Sequence, residues 1–200
     1  MLSVTINQKY VNMADVNVST LPHSPKEAGE NGPTAAHKGA DPRGDEGIPA
    51  VELIELLFFA YRDFVGDADE MLARLGFGRA HHRVVHFVNR HPGMRVADLL
   101  AVLKITKQSL GRVLRDLVDN GYIQQKAGDT DRRERLLYVA PKGEELARQL
   151  ISLQTRRFAR AFSECGPGAR LAARKFLASM IDPESRTEVE RLIARAGGRK

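Results

Sequence analysis

The chain has 200 residues, 42% of them apolar, which suits one domain with appendages or two small domains and is enough for a real core. Its one cysteine, Cys165, excludes an internal disulfide framework or a Cys-rich zinc site, and no apolar run approaches the ~18 residues of a membrane span, so no membrane partner is expected. The net charge of +6 favours acidic partners, and the excess is local: twelve Lys and Arg stand against six Asp and Glu from Arg79 to Ala140, while residues 1–47 hold four against six.

Residues 1–47 scatter Pro22, Pro25, Pro33 and Pro42 among Gly, Ser, Asn and Ala, and read as a mostly disordered tail that buries too little apolar surface to offset the entropy of ordering. No continuous apolar stretch of signal-peptide type is seen, so a cytoplasmic location is expected. Order begins at Ile48-Pro49. From there Val51, Ile54, Phe58, Tyr61, Val65, Ala68, Leu72 and Leu75 recur at steps of three and four, with a second stripe of Leu53, Leu57, Phe64 and Met71 beside them. Two stripes are more than one surface helix needs. Either the helix lies deep in a monomer core, or it packs on its own domain and on a second subunit; the homodimer reading is preferred, with residues 48–78 as an N-terminal dimerisation helix.

Gly76 and Gly78 end that helix, and residues 79–90 start another with Ala80, Val84, Phe87 and Val88 inward. It carries His81, His82 and His86. The i, i+4 spacing of His82 and His86 suits metal ligation, but no carboxylate or cysteine lies close by in sequence to complete a site; ordinary packed or surface histidines are the reading taken, with no metal and no cofactor expected. After the turn His91-Pro92-Gly93, residues 96–103 form a short helix with Val96, Leu99, Leu100 and Leu103 inward.

The stretch 105–121 has two faces. Leu110, Val113, Leu114, Leu117 and Val118 fall on a core face, while Gln108, Arg112 and Arg115 lie opposite with Lys107 and Ser109 in the first turn. Thr106 is the expected N-cap and Asn120-Gly121 the close, giving a helix of roughly 14 residues and about 20 Å. A short helix, a tight turn and a second helix with a basic outer face make a helix-turn-helix, whose second helix enters the major groove. Residues 122–127 and 134–139 then read as two strands, with Gly128-Asp129-Thr130-Asp131 between them and Arg132, Arg133 and Arg135 about the tip. A hairpin so placed is a wing, and its arginines suit the narrow minor groove. Residues 79–141 are thus expected to be a winged helix-turn-helix DNA-binding domain. From Lys142 a long helix is expected to about Ser163, broken at Glu164-Cys165-Gly166-Pro167-Gly168; helices over 171–181 and from Asp182-Pro183 follow, so that residues 142–200 form C-terminal dimerisation helices.

From about Gly78 to Gly143 the chain resembles the winged-helix core of the MarR (multiple antibiotic resistance regulator) family. The resemblance is carried by VADLLAVLKITKQSLGRVLRDLVDNGYIQQ, by Asp131-Arg132-Arg133 against the family's D-x-R wing motif, and by Val139-Ala140-Pro141-Lys142-Gly143 where the family commonly has L-T-x-x-G. Ala140 departs from the Thr that would cap the next helix, and the histidine-rich helix is atypical. The resemblance implies a mainly α-helical fold with a small β-hairpin wing and interleaved N- and C-terminal dimerisation helices. It implies that Arg133 enters the minor groove while Asp131 holds the wing arginines, and that the protein regulates transcription, most often by repression; two recognition helices related by the two-fold axis of a dimer would ask for a pseudo-palindromic duplex operator. An aromatic or anionic effector between the dimerisation helices and the winged domain would control it, with Tyr61, Phe64, His82, His86 and Phe87 as candidate lining. A winged helix used for protein–protein assembly without DNA binding is the rival reading. No phosphate-binding Gly-rich loop, paired carboxylates or nucleophile motif is present, so no enzyme is expected, and Cys165, with no basic residue nearer than Arg160 and Arg170, reads as an inert thiol.

Overall fold

The computed structural model describes residues 48–128 and 131–197, so the expected tail and the turn residues Asp129 and Thr130 lie outside the described residues. The described order is α1 (Ala50–Ala73), α2 (Arg79–Arg90), β1 (Met94–Arg95), α3 (Val96–Leu103), α4 (Lys107–Asp119), β2 (Ile123–Ala127), β3 (Arg135–Val139), α5 (Pro141–Cys165), α6 (Ala169–Ser179) and α7 (Pro183–Gly197).

One core joins α2, α3, α4, the sheet and the near ends of α1 and α5. Val84, Val85 and Val88 meet Leu99 and Leu103, then Leu110, Val113, Leu114 and Leu117, with Leu137 from β3 and Leu146, Ala147 and Leu150 closing one side. The inward faces of α3 and α4 are the ones their apolar spacing demands. On α2 the expected inward set shifts: Val85 joins Val84 and Val88 in full burial, whereas Ala80 and Phe87 are only partly buried.

The sheet has three strands, not the two of the expected hairpin, in the antiparallel order β1-β3-β2. β2 and β3 pair from Ile123 opposite Val139 to Ala127 opposite Arg135, and β1 adds Met94 opposite Leu137. Gly93, at φ +82°, turns the chain so that its N–H donates to the Leu137 carbonyl at 2.8 Å. Two residues have no periodicity, so this strand exists only through its pairing.

α1 is buried at Val65, Ala68 and Leu72, where it meets the core, and exposed along its N-terminal half, with Phe58 at 68%. The helix does not lie deep in the core of the single chain, since Val51, Ile54, Phe58 and Tyr61 face outward. α6 has no buried residue, and Leu171 is 72% exposed. α5 begins one residue earlier than expected, because Pro141 suits a first helical position, and Ala140 before it supplies no side-chain cap. It also runs on through Cys165, so the expected break shortens to Gly166-Pro167-Gly168, both glycines at positive φ. α6 starts at Ala169 and stops at Ser179, two residues ahead of the expected 171–181. Near the start of α5, Gly143 passes so close to the Tyr122 carbonyl oxygen that an added Cβ would stand 2.0 Å from it. This contact docks α5 on the segment where the chain leaves α4 for the wing.

Candidate nucleic-acid interface

Helix α4 begins as its sequence requires. Thr106 is extended, its Oγ1 accepts the Ser109 N–H at 3.1 Å, and its hydroxyl donates to Ser109 Oγ at 2.9 Å. The first turn has no acidic residue, so the positive end of the helix dipole opens toward solvent beside exposed Lys107 and Gln108. Lys104, left-handed at φ +50°, makes the tight turn from α3, and Arg83 Nη2 donates to the Leu103 carbonyl at 2.8 Å to hold that turn. Arg112 and Arg115 are exposed, and among the described residues neither has an acidic partner. Basic groups without partners on the solvent face of a helix anchored by its other face are suited to phosphates and base edges.

The wing is braced from β1 and at its tip. Arg95 on β1 is held between Asp98 at 2.7 Å and Glu134 at 3.2 Å, contacts that raise its pKa further above the usual guanidinium range. Asp98 is held below the usual carboxylate range by the same arginine. At the tip, Asp131 Oδ1 accepts the Arg133 N–H at 2.8 Å, and the Glu134 N–H donates to the Asp131 carbonyl at 3.0 Å. The side chain of Asp131 thus shapes the backbone that presents Arg133. Arg132 and Arg133 are exposed, whereas Arg135 folds back to donate to the Arg132 carbonyl at 3.3 Å. Of the ten residues expected at the DNA surface, Thr106, Ser109 and Asp131 make the local hydrogen bonds that shape it, Lys107, Gln108, Arg112, Arg115, Arg132 and Arg133 present groups outward, and Arg135 is the one that folds back. Sequence reading missed Arg83, Arg95 and the contact of His81 with Asp116, because each joins residues 20 or more positions apart.

The five residues expected around an effector are divided. Phe64 packs on Phe158 with ring centroids 5.4 Å apart, and the Arg79 guanidinium lies 5.9 Å from the Tyr61 ring. Phe87 meets His86 edge-on at 5.4 Å. Burial lowers the pKa of His82 against the pull of Asp69, and lowers that of His86 to about 4, with His82, Arg90 and His91 adding repulsion. A cleft of about 600 Å³ opens instead between α5, α6 and α7, lined by residues such as Phe158, Phe162, Leu177, Ile181 and Ile193, and includes none of the five. No group of three or more His, Cys, Asp or Glu is brought together for a metal among the described residues.

The sequence profile described as "MarR family" matches residues 75–134. The HTH-type transcriptional regulator PetP of Rhodobacter capsulatus is 45% identical over 139 residues, which cover 70% of this chain and 84% of that protein. The chain belongs to the MarR family. Solved structures agree in fold. A crystal structure titled MarR matches at TM-score 0.56 and 24% identity, covering 73% of this chain and 97% of that one. The MarR protein of Peptoclostridium difficile matches at 0.57 and 17%, covering 82% and 99%. A SlyA-like regulator of Listeria monocytogenes matches at 0.52 and 18%, covering 74% and 95%. The three-stranded sheet and capped α4 described above are therefore the winged helix of a MarR-family chain.

Proposed function

We propose that this MarR-family transcriptional regulator works as a homodimer that reads a pseudo-palindromic duplex operator, with residues 79–141 on the DNA and residues 48–78 and 142–200 forming the dimer. The observation that carries the reading is the solvent face of α4: Lys107, Gln108, Arg112 and Arg115 exposed without acidic partners among the described residues, on a helix whose other face is fixed by Leu110, Val113, Leu114 and Leu117. In this reading the first turn and Lys107 take phosphate, Gln108 and Arg112 reach base edges, and Arg115 follows along the groove. Arg133, with Arg132 beside it, enters the minor groove from a tip held by Asp131, and Arg135 contributes charge from the strand.

Support for the dimer is the apolar surface that one chain leaves uncovered on α1, α6 and α7, including Val51, Phe58, Leu171, Phe176 and Ile193. A two-fold pair of α4 helices then asks for half-sites about 10 base pairs apart. An aromatic or carboxylic effector near Tyr61, Phe64, His82, His86 and Phe87 would release DNA only by the difference in its affinity for two separations of those helices. The regulator named above supports transcription control, and the relative and fold neighbours named above give no support to the assembly-module rival. No helix among the described residues is long and apolar enough to cross a membrane, which fits the proposed cytoplasmic site of action.

The test is a gel-shift titration on duplex DNA at several salt concentrations. Neutralising roughly 6–10 phosphates per dimer predicts a log–log slope of about −5 to −9. Affinity that is flat between low and moderate salt would reject the reading.

A further inference from the structure

In the proposed function Arg112 reads a base edge, which requires it to be unpaired. One turn further along α4, at i+4, stands Asp116, spaced to form an ion pair with it. The pair is not made. Asp116 Oδ2 lies instead 3.3 Å from Nε2 of His81, on α2.

His81 is prepared for that contact. The Gly78 N–H reaches its Nδ1 at 3.1 Å, and because a backbone N–H only donates, Nδ1 holds the lone pair and Nε2 carries the proton that faces Asp116. The ring stacks on Phe77 at 4.6 Å and 15°, and Phe77 meets Tyr122 edge-on at 5.1 Å. The His81 side chain is 14% exposed and that of Asp116 is 46% exposed. The imidazole is thus the fixed party, and the carboxylate at the rim is the one being held.

We infer that His81 is a positioning residue for operator reading: its Nε2–H holds the Asp116 carboxylate away from Arg112, so that the arginine meets DNA unpaired. The inference rests on the reading of α4 as the DNA-facing helix. Without His81 the carboxylate turns along its own helix to Arg112, where it neutralises the reading group and repels nearby phosphate. An exposed pair of this kind shifts a binding equilibrium about two- to threefold, and two copies in a dimer multiply to roughly four- to tenfold.

The test uses the full chain and duplexes selected by the wild type from a randomised pool. The amide of Gln stands where Nε2 does and that of Asn where Nδ1 does. His81→Gln therefore keeps a donor toward Asp116, whereas His81→Asn keeps only the acceptor toward Gly78. The expected result is near-wild-type affinity for His81→Gln, a four- to tenfold loss for His81→Asn, and recovery when Asp116→Asn is added to it, with Asp116→Asn alone at or above the wild-type affinity. A merely structural histidine would not be rescued by neutralising Asp116. Undiminished affinity in His81→Asn, failure of the second substitution to restore it, or a loss with Asp116→Asn alone would each overturn the inference while leaving DNA binding intact. A wild type that selects no duplex would remove the DNA reading itself, and this inference with it.

Discussion

Gly143→Ala should destabilise the chain although it replaces a glycine in a helix. The new Cβ would stand 2.0 Å from the Tyr122 carbonyl oxygen and 3.0 Å from its carbon, both backbone atoms with no rotamer to yield. Ordinary contact needs more than 1 Å of additional separation. That carbonyl already accepts the Ala140 N–H at 3.0 Å, and Lys142 Nζ bonds the Asn120 carbonyl at 3.1 Å and lies 4.3 Å from the Tyr122 ring. Moving α5 outward would loosen those contacts and the packing of Leu146 and Leu150. Overpacking costs about 1–3 kcal/mol and a lost hydrogen bond about 1 kcal/mol, against a gain of about 1 kcal/mol in helix propensity. The net expectation is a loss of about 1–3 kcal/mol, or a Tm lower by about 2–12 °C for a domain of this size. Thermal and denaturant unfolding at one fixed protein concentration measure it, with Gly111→Ala as control, since nothing lies within 4 Å of a Cβ there. Gly111→Ala should stabilise by up to about 1 kcal/mol. A Gly143→Ala chain as stable as wild type would refute the close approach.

Thr106→Ala removes the cap on Ser109 N–H and should cost about 1 kcal/mol in unfolding experiments, while Thr106→Ser should cost little. For His86, burial holds the folded pKa at about 4 against an ordinary 6.5, so the unfolded chain takes the proton first as pH falls. Its contribution to stability is full above about pH 6.5 and is lost as pH falls toward 4; denaturant titrations should show a shallower acid decline in His86→Phe, and equal slopes would contradict it. Arg112→Ala should cost about 1–3 kcal/mol of operator binding and relax base preference, whereas Arg133→Ala should weaken binding more evenly and remove preference for narrow A·T-rich flanks, both read by competition gel shifts. Sedimentation should find a dimer at micromolar concentration, and a stable folded monomer there would contradict the proposed assembly.

Where structure follows from local pattern, the sequence was readable. The bounds of α2 and α3 and the cap of α4 match because apolar spacing and Thr106 act within a few residues. β1 was not readable, since Met94 becomes a strand only by pairing with Leu137, 43 positions on. His81 looked like one of three similar histidines. What separates it is Asp116 on another helix, together with Phe77 and Tyr122 around its ring, and no spacing rule reports such an encounter. The exposed half of α1 was legible as an excess of apolar residues, but whether a core or a partner covers them depends on where α5 lies. Sequence pattern does not single out an effector site, because an aromatic residue at helical spacing is equally a core, surface or pocket residue until its neighbours are known.

Selection of bound duplexes from a randomised pool tests the central claim most directly. A dimer that reads DNA through α4 should enrich a pseudo-palindrome with half-sites about 10 base pairs apart, and the Arg112→Ala chain, selected in parallel, should lose preference at the same position in each half-site. Enrichment of no sequence, or of an unpaired site that Arg112→Ala selects equally well, would contradict it.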